Sequence, residues 1–330
     1  MFDSYNRDIN YLRVSVTDRC NLRCIYCMPK EGVSLIGHDD ILRYEEILRI
    51  VRAAIKLGIR KVRVTGGEPL IRRGILDFLR ELNMVEGLQD VSLTTNGIML
   101  ESMAEGIYRT GIRRINISLD SLNPEKYNYV TGGGSLEKVL NGIREAFRTG
   151  FSPIKINVVA IKGFNDDEIL RFAGHTINRP YQVRFIELMP FGETKGDHDG
   201  KYLSNEFILE ELNKEFSIEP IKGKSSRFDG PARLFRIKGA VGQIGLIGAG
   251  SQHLCDECNR LRLTAGGGIR ACLFSDHEVD LKSAIRNGCS DDELTEMIRG
   301  AIREKPRGQK ETAKGRSPRK CNREMSAIGG

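Results

Sequence analysis

Between residues 9 and 188 the chain alternates, about six times over, between a short run rich in β-branched residues and a longer run with helical periodicity. Residues 9–17 (INYLRVSVT) read as a strand. Residues 44–57 read as a helix, with Ile47, Ile50, Val51, Ala54 and Ile55 on one face and Gly58 placed to end it. Further strands are expected at 61–65, 90–95, 114–119, 154–161 and 182–188, and further helices at 75–82, 101–110, 136–149 and after Asn165. Strands separated by helices pair in parallel with each helix as a crossover, so the class is α/β. Periodicity alone fits either a partial barrel or an open doubly wound sheet. Thr65, Thr94, Ser118, Asn157 and Glu187 stand at strand ends, and the carboxyl ends of such strands form the ligand face of a barrel.

The loop after the first strand reads DRCNLRCIYCMP and holds Cys20, Cys24 and Cys27. Three thiols at that spacing let one short loop wrap a cubane iron-sulphur cluster and ligate three of its irons. The fourth iron is left open to a small chelating molecule, as catalytic metal sites keep an open position. A structural zinc site usually takes four protein ligands, and the other cysteines lie far away or in their own group. Cys255 and Cys258 form a second group, followed after thirteen residues by Cys272. On spacing alone this group is either another three-thiol cluster site or a zinc site completed by a histidine such as His253 or His277. Between these thiols Arg260 and Arg262 flank Leu261, and two guanidiniums beside an open metal suit a phosphate-bearing or purine ligand. A plain strand with two outward arginines is the simpler reading of NRLRLT.

The 330 residues allow one large α/β domain with an extension, and their net charge of +7 is spread along the chain and rises in the tail. That charge reads as accommodation of an anionic substrate; neither a nucleic-acid nor a membrane partner is expected. The start MFDSYNRDIN has no apolar run and no stretch approaches a membrane span, so a cytoplasmic protein with reduced thiols is expected. A boundary is expected near Pro190, dividing residues 1–190 from residues 191–330; beyond it come polar stretches, a helix at 205–215 and short strands such as 234–237. The last 25 or so residues are basic and without apolar periodicity, and alone would read as a disordered tail.

The pattern C-x3-C-x2-C with Tyr26 before its last cysteine resembles the cluster loop of the radical S-adenosylmethionine enzymes, and the GGEP of Gly66 to Pro69 resembles their S-adenosylmethionine motif. With RVTGGEPLIR, TTNG, SLDSL, RFIELMP, CNRLRLT and the closing Gly329-Gly330, the whole chain resembles the MoaA family of GTP 3′,8-cyclases of molybdenum cofactor biosynthesis. The resemblance implies an incomplete (β/α)6 TIM-like barrel with a C-terminal α+β extension carrying a second cluster. It implies a lyase that converts GTP to 3′,8-cyclo-7,8-dihydro-GTP through a 5′-deoxyadenosyl radical, with two [4Fe-4S] clusters and S-adenosyl-L-methionine as cofactors. By the same resemblance Cys20, Cys24 and Cys27 hold the first cluster and Cys255, Cys258 and Cys272 the second. Tyr26, Gly67, Ser118 and Met189 match S-adenosylmethionine contacts; Arg13, Arg63, Thr94, Lys155, Arg260, Leu261 and Arg262 match GTP contacts. The implied partners are the downstream cyclic pyranopterin monophosphate synthase, MoaC, and a second copy of the chain in a homodimer. Terminal glycines that reach into the active site are also implied. Cys289 and Cys321 match no cluster position. A radical enzyme acting on peptide or RNA is the competing reading, and no protein acid or base is assigned.

Overall fold

The structure is a computed structural model that describes residues 1–29, 31–189, 200–221, 230–248, 253–308 and 325–329. Expectations for the 190–199 stretch, for most of the basic tail, for Cys321 and for Gly330 lie outside the described residues.

The alternation is realised closely. Strands β1 (Tyr11–Ser15), β2 (Lys61–Thr65), β3 (Asp90–Thr95), β4 (Arg114–Ser118), β5 (Ile154–Ala160) and β6 (Tyr181–Glu187) lie side by side in chain order, every pair parallel. Helices α1 (Tyr44–Lys56), α2 (Ile75–Asn83) and α3 (Leu100–Arg109) are the first crossovers. The next connection holds two helices, α4 (Pro124–Thr131) and α5 (Leu136–Thr149), where the sequence pattern announced only the second. Asn123 caps α4 by accepting from the amides of Glu125 and Lys126, and Pro124 fits its first turn, a start signal that its weak amphipathicity masks. Helix α6 (Ile169–Gly174) leads into β6.

The rest of the chain extends the same sheet instead of building a separate one. After α7 (Asn205–Glu215) come β7 (Ile218–Pro220), β8 (Arg233–Ile237) and β9 (Gln243–Ile247), and β9 pairs in parallel with β6. After α8 (His253–Asp256), β10 (Arg260–Leu263) pairs in parallel with β1 on the opposite flank, followed by β11 (Gly268–Arg270) and β12 (Val279–Asp280). The twelve strands run β12-β11-β10-β1-β2-β3-β4-β5-β6-β9-β8-β7, so six β/α units form an incomplete barrel with the extension at both edges. Helices α9 (Leu281–Arg286) and α10 (Asp291–Arg303) follow, and α10 packs on α1.

Each strand keeps its apolar residues on the helix side. Leu12, Val14, Val62, Val64, Leu93, Ile115 and Ile117 are fully buried in one core with the inner faces of the helices. Burial at about 25 cal/mol per Å2 of apolar surface drives this layer together. The alternate positions face the barrel lumen and are polar: Arg13, Arg63, Ser92, Asn116, Lys155 and Arg184. Parallel strands usually read as unbroken apolar runs, so polar residues at every second place leave room for a polar ligand inside. Among the described residues no helix is long and apolar enough to cross a membrane.

Candidate functional site

The loop carrying Cys20, Cys24 and Cys27 leaves the carboxyl end of β1 and is held on two sides by backbone. The Gly67 amide donates to Thr17 O at 2.6 Å and the Glu68 amide to Arg19 O at 2.8 Å. A methyl group at Gly67 would collide with the Arg19 carbonyl, so the glycine pair lets the β2 loop lie directly on the cysteine loop. On the other side the amides of Arg23 and Ile25 donate to the carbonyls of Thr131 and Val130, at 2.8 and 3.0 Å. Glu68 is buried and accepts from the Leu70 amide, the Thr95 hydroxyl and the Asn96 amide, at 3.0, 2.8 and 2.6 Å. Burial nevertheless pushes its carboxyl up to about 7. Asn96 then donates to Asn21 at 2.7 Å, close to the Cys20 sulphur. The Tyr26 hydroxyl donates to Asp120 at 2.6 Å, and the other oxygen of Asp120 accepts from the Val159 amide at 2.8 Å. Burial lifts the Asp120 carboxyl to about 6 and raises the thiols of Cys20 and Cys24.

Below this loop the lumen is basic. Register pairs Arg262 with Arg13, Arg13 with Arg63, and Tyr11 with both Lys61 and Arg260, so three neighbouring strands line the lumen with cations. Lys155 and Arg184 add cations from β5 and β6. Among these groups Asp90 pairs with Lys61 at 3.2 Å and with Arg114. Burial, and then the charges of Arg184, Arg63, Arg114 and Lys61, bring the Lys155 ammonium down to about 6. Burial brings Arg13 to about 10 and presses Arg262 well below its usual range. Of these crowded cations lysine has the weaker hold on its proton, so Lys155 yields first. Three polar atoms facing the same space, Thr94 Oγ1, Asn116 Oδ1 and Asn157 Oδ1, are buried without a hydrogen-bond partner.

The second cysteine group sits at the other end of the strands. Cys258 stands two residues before the start of β10, whereas Cys20 follows the finish of β1, and the two strands run parallel in register. Arg7, buried and paired with Asp3 at 2.6 Å, donates to the carbonyls of Cys255, Pro306 and Arg307 at 2.8, 2.8 and 2.9 Å. The loop carrying Cys272 is braced by Arg270, which is fully buried, donates to Ser275 O and pairs with Glu278 at 3.1 Å. Burial acts to raise the Cys258 thiol, but Lys305 and Arg260 outweigh it and bring it down to about 6. All six cysteines are half-buried thiols in no disulfide. Each loop offers three free thiols, the donors that an iron-sulphur cubane takes at three of its irons, so the donor chemistry of both sets fits such a cluster. His277 is engaged with Glu304 at 3.1 Å on the surface.

The expected residues fall into place unevenly. Gly67, Thr94, Ser118 and Met189 are half-buried and stand at or close to the finishes of β2, β3, β4 and β6. Arg13, Arg63, Lys155, Arg260 and Arg262 share the lumen, and the strand reading of NRLRLT holds with its arginines turned inward. Leu261 does not join them: it is fully buried in the core on the helix side of β10, leaving only its backbone near the lumen. Gly329 lies inside the barrel against Ser15 and Thr65, with its carbonyl accepting from Arg262 at 3.4 Å, and Ile328 packs with Phe274 and Met189. Sequence reading missed Lys61, Arg114, Arg184, Asp120, Lys305 and Arg7. The signal for the first three was available, since each is a cation at a lumen-side position of a parallel strand.

Two family profiles cover the chain. The one described as Radical SAM superfamily matches residues 14–175, and the one described as Molybdenum Cofactor Synthesis C matches residues 181–311. A relative named GTP 3′,8-cyclase from Alkaliphilus oremlandii (strain OhILAs) is 46% identical over 330 residues, spanning 100% of both chains. Another of that name, from Thermodesulfovibrio yellowstonii, is 47% identical over 332 residues and again spans 100% of both. Among solved structures, Streptococcus suis SuiB bound to precursor peptide SuiA matches with a TM-score of 0.58 at 15% identity, over 98% of this chain and 76% of that one, a likeness of fold alone.

Proposed function

We propose, from the premise that this chain belongs to the GTP 3′,8-cyclases, a family of radical S-adenosylmethionine enzymes, that it holds GTP in its basic lumen between two cysteine loops and joins ribose C3′ to guanine C8 there. Its cofactors are two [4Fe-4S] clusters and S-adenosylmethionine, and its product is 3′,8-cyclo-7,8-dihydro-GTP. When bound, the first cluster with S-adenosylmethionine supplies the 5′-deoxyadenosyl radical that takes the C3′ hydrogen. The observation that carries this reading is the lumen: buried cations from adjoining strands line a space whose two ends are marked by three thiols each.

Cys20, Cys24 and Cys27 hold the first cluster, and Cys255, Cys258 and Cys272 the second. Tyr26, Gly67, Ser118 and Met189 contact S-adenosylmethionine, which their common rim supports. Asp120 keeps the Tyr26 ring in one orientation through its short hydrogen bond. Arg13, Arg63, Lys155, Arg260 and Arg262 grip GTP with Thr94, Leu261 contributes backbone, and geometry adds Lys61 and Arg184. Arginine forks suit phosphate oxygens and purine edges. A triphosphate beside Lys155, whose ammonium burial and neighbouring cations bring down to about 6, favours the protonated amine and so draws a proton onto it. Holding C3′ against C8 needs a fixed near-attack geometry, and many grips on one nucleotide provide it. The division at residues 190 and 191, cytoplasmic residence, a homodimer and transfer of product to MoaC belong to the same proposal.

Anaerobic turnover of reconstituted enzyme with GTP deuterated at C3′ tests it. Deuterium is expected in 5′-deoxyadenosine. Slow 5′-deoxyadenosine formation, independent of GTP and free of deuterium, would leave a radical enzyme whose substrate is something else.

A further inference from the structure

The segment after α10 carries a buried lysine that neither cysteine loop contains. Lys305 is 2% exposed, and its ammonium donates to Arg260 O at 2.9 Å and to Ala271 O. Those carbonyls belong to the residue two past Cys258 and the residue just before Cys272. The charge of the same ammonium acts on the Cys258 thiol and favours its thiolate. A lysine ammonium has three donors and no acceptor, and two of them go to these carbonyls. The placement is rigid: Ser290 caps α10 with a capping box to Glu293, the helix packs on α1, and the chain then turns Lys305 inward. The next residues continue along the same loop. Arg7 gathers the carbonyls of Pro306 and Arg307 with that of Cys255, and a methyl group at Gly308 would stand 3.2 Å from Cys255 Cβ.

We infer that Lys305 is a positioning residue for the second cluster: it ties the Cys258 and Cys272 segments into one ligand frame and holds a buried positive charge against a ligating sulphur, setting that cluster's reduction potential. The physical grounds are general. Donors and positive charge at a cluster's thiolates favour the reduced form, which carries one more electron, and so raise its potential. A buried charge acts strongly because the medium around it screens poorly. The inference rests on the second triplet holding a cluster, and the two ideas fail differently.

The test uses full-length chain in which Cys20, Cys24 and Cys27 are replaced by Ala, so that only the second cluster is read. Iron and sulphide are counted after anaerobic reconstitution, and a dithionite potentiometric titration followed by electron paramagnetic resonance gives the potential. Lys305→Met in this background is expected to keep the cluster but shift its potential downward, while Lys305→Arg, which keeps charge and donors, should restore most of the shift. Loss of the cluster in Lys305→Met with recovery in Lys305→Arg would support the frame role. An intact cluster with unchanged potential and unchanged resonance in Lys305→Met overturns the inference. So does equal damage in both variants, which would mean that only the shape of the lysine matters. Failure of the parent background to take up iron would instead overturn the cluster assignment itself.

Discussion

The two cysteine loops share a three-thiol plan and sit in opposite electrical surroundings. The first lies among buried carboxyls, Glu68 and Asp120, with Arg19 and Arg23 out in solvent. The second has Lys305 buried against it and Arg260 beside it. Neutral-to-negative surroundings disfavour adding an electron and make a reduced cluster a stronger donor, whereas positive surroundings suit a site that meets an anionic substrate. Under the proposed function this contrast would let the first loop give an electron and the second hold a nucleotide. Between them the basic lumen belongs electrically to the second.

The widest separation comes from deleting ligands. Cys24→Ala should halve bound iron and abolish both S-adenosylmethionine cleavage and cyclised product. Cys258→Ala should halve the iron and abolish the product while leaving slow, uncoupled 5′-deoxyadenosine formation, measured by chromatography. Equal loss of cleavage in both would erase the distinction between the loops.

Lys155→Met sharpens the assignment of the lumen. Loss of a charge-assisted contact worth about 2–3 kcal/mol lowers kcat/KM for GTP by roughly 30- to 160-fold. The unmodified enzyme should also show a pH dependence that the variant lacks. The bound anion favours the protonated amine, so affinity is full below about 6 and weakens as pH rises, by up to about tenfold per unit, until the bound-state value is passed. Calorimetry in buffers of different ionisation enthalpy would detect proton uptake at pH 7.5; none would count against Lys155 as a triphosphate contact.

Gly67→Ala probes the seat of the first loop alone. Forcing a methyl group into the Arg19 carbonyl should cost about 1–3 kcal/mol in chemical denaturation and lower first-cluster occupancy, with the second cluster spared. The smallest effect is expected from Cys289→Ser, since that half-buried thiol only packs against the main core. Iron content and turnover should stay unchanged, with a stability loss of about 1 kcal/mol or less.

Much of this was legible in the chain and some was not. Strand β2 and helix α5 appear where the pattern put them, because alternating apolar residues and cap signals act locally. The pairing of β10 with β1 and of β9 with β6 was hidden, since partners some 250 and 60 residues away leave no local trace. Gly67 was visible as part of the GGEP motif, but that its missing side chain admits the Arg19 backbone was not. Lys305 was invisible because its partners are two main-chain carbonyls, which any sequence supplies. The cysteine spacing was the strongest signal, as cluster geometry constrains a short loop directly.

The most direct measurement is electron paramagnetic resonance of two single-cluster proteins, each reduced and titrated separately with S-adenosylmethionine and with GTP. S-adenosylmethionine should change only the spectrum of the protein that keeps Cys20, Cys24 and Cys27, and GTP only that of the protein that keeps Cys255, Cys258 and Cys272. A spectrum of the first cluster that responds to GTP alone, or a second cluster indifferent to GTP, would contradict the division of labour between the two loops.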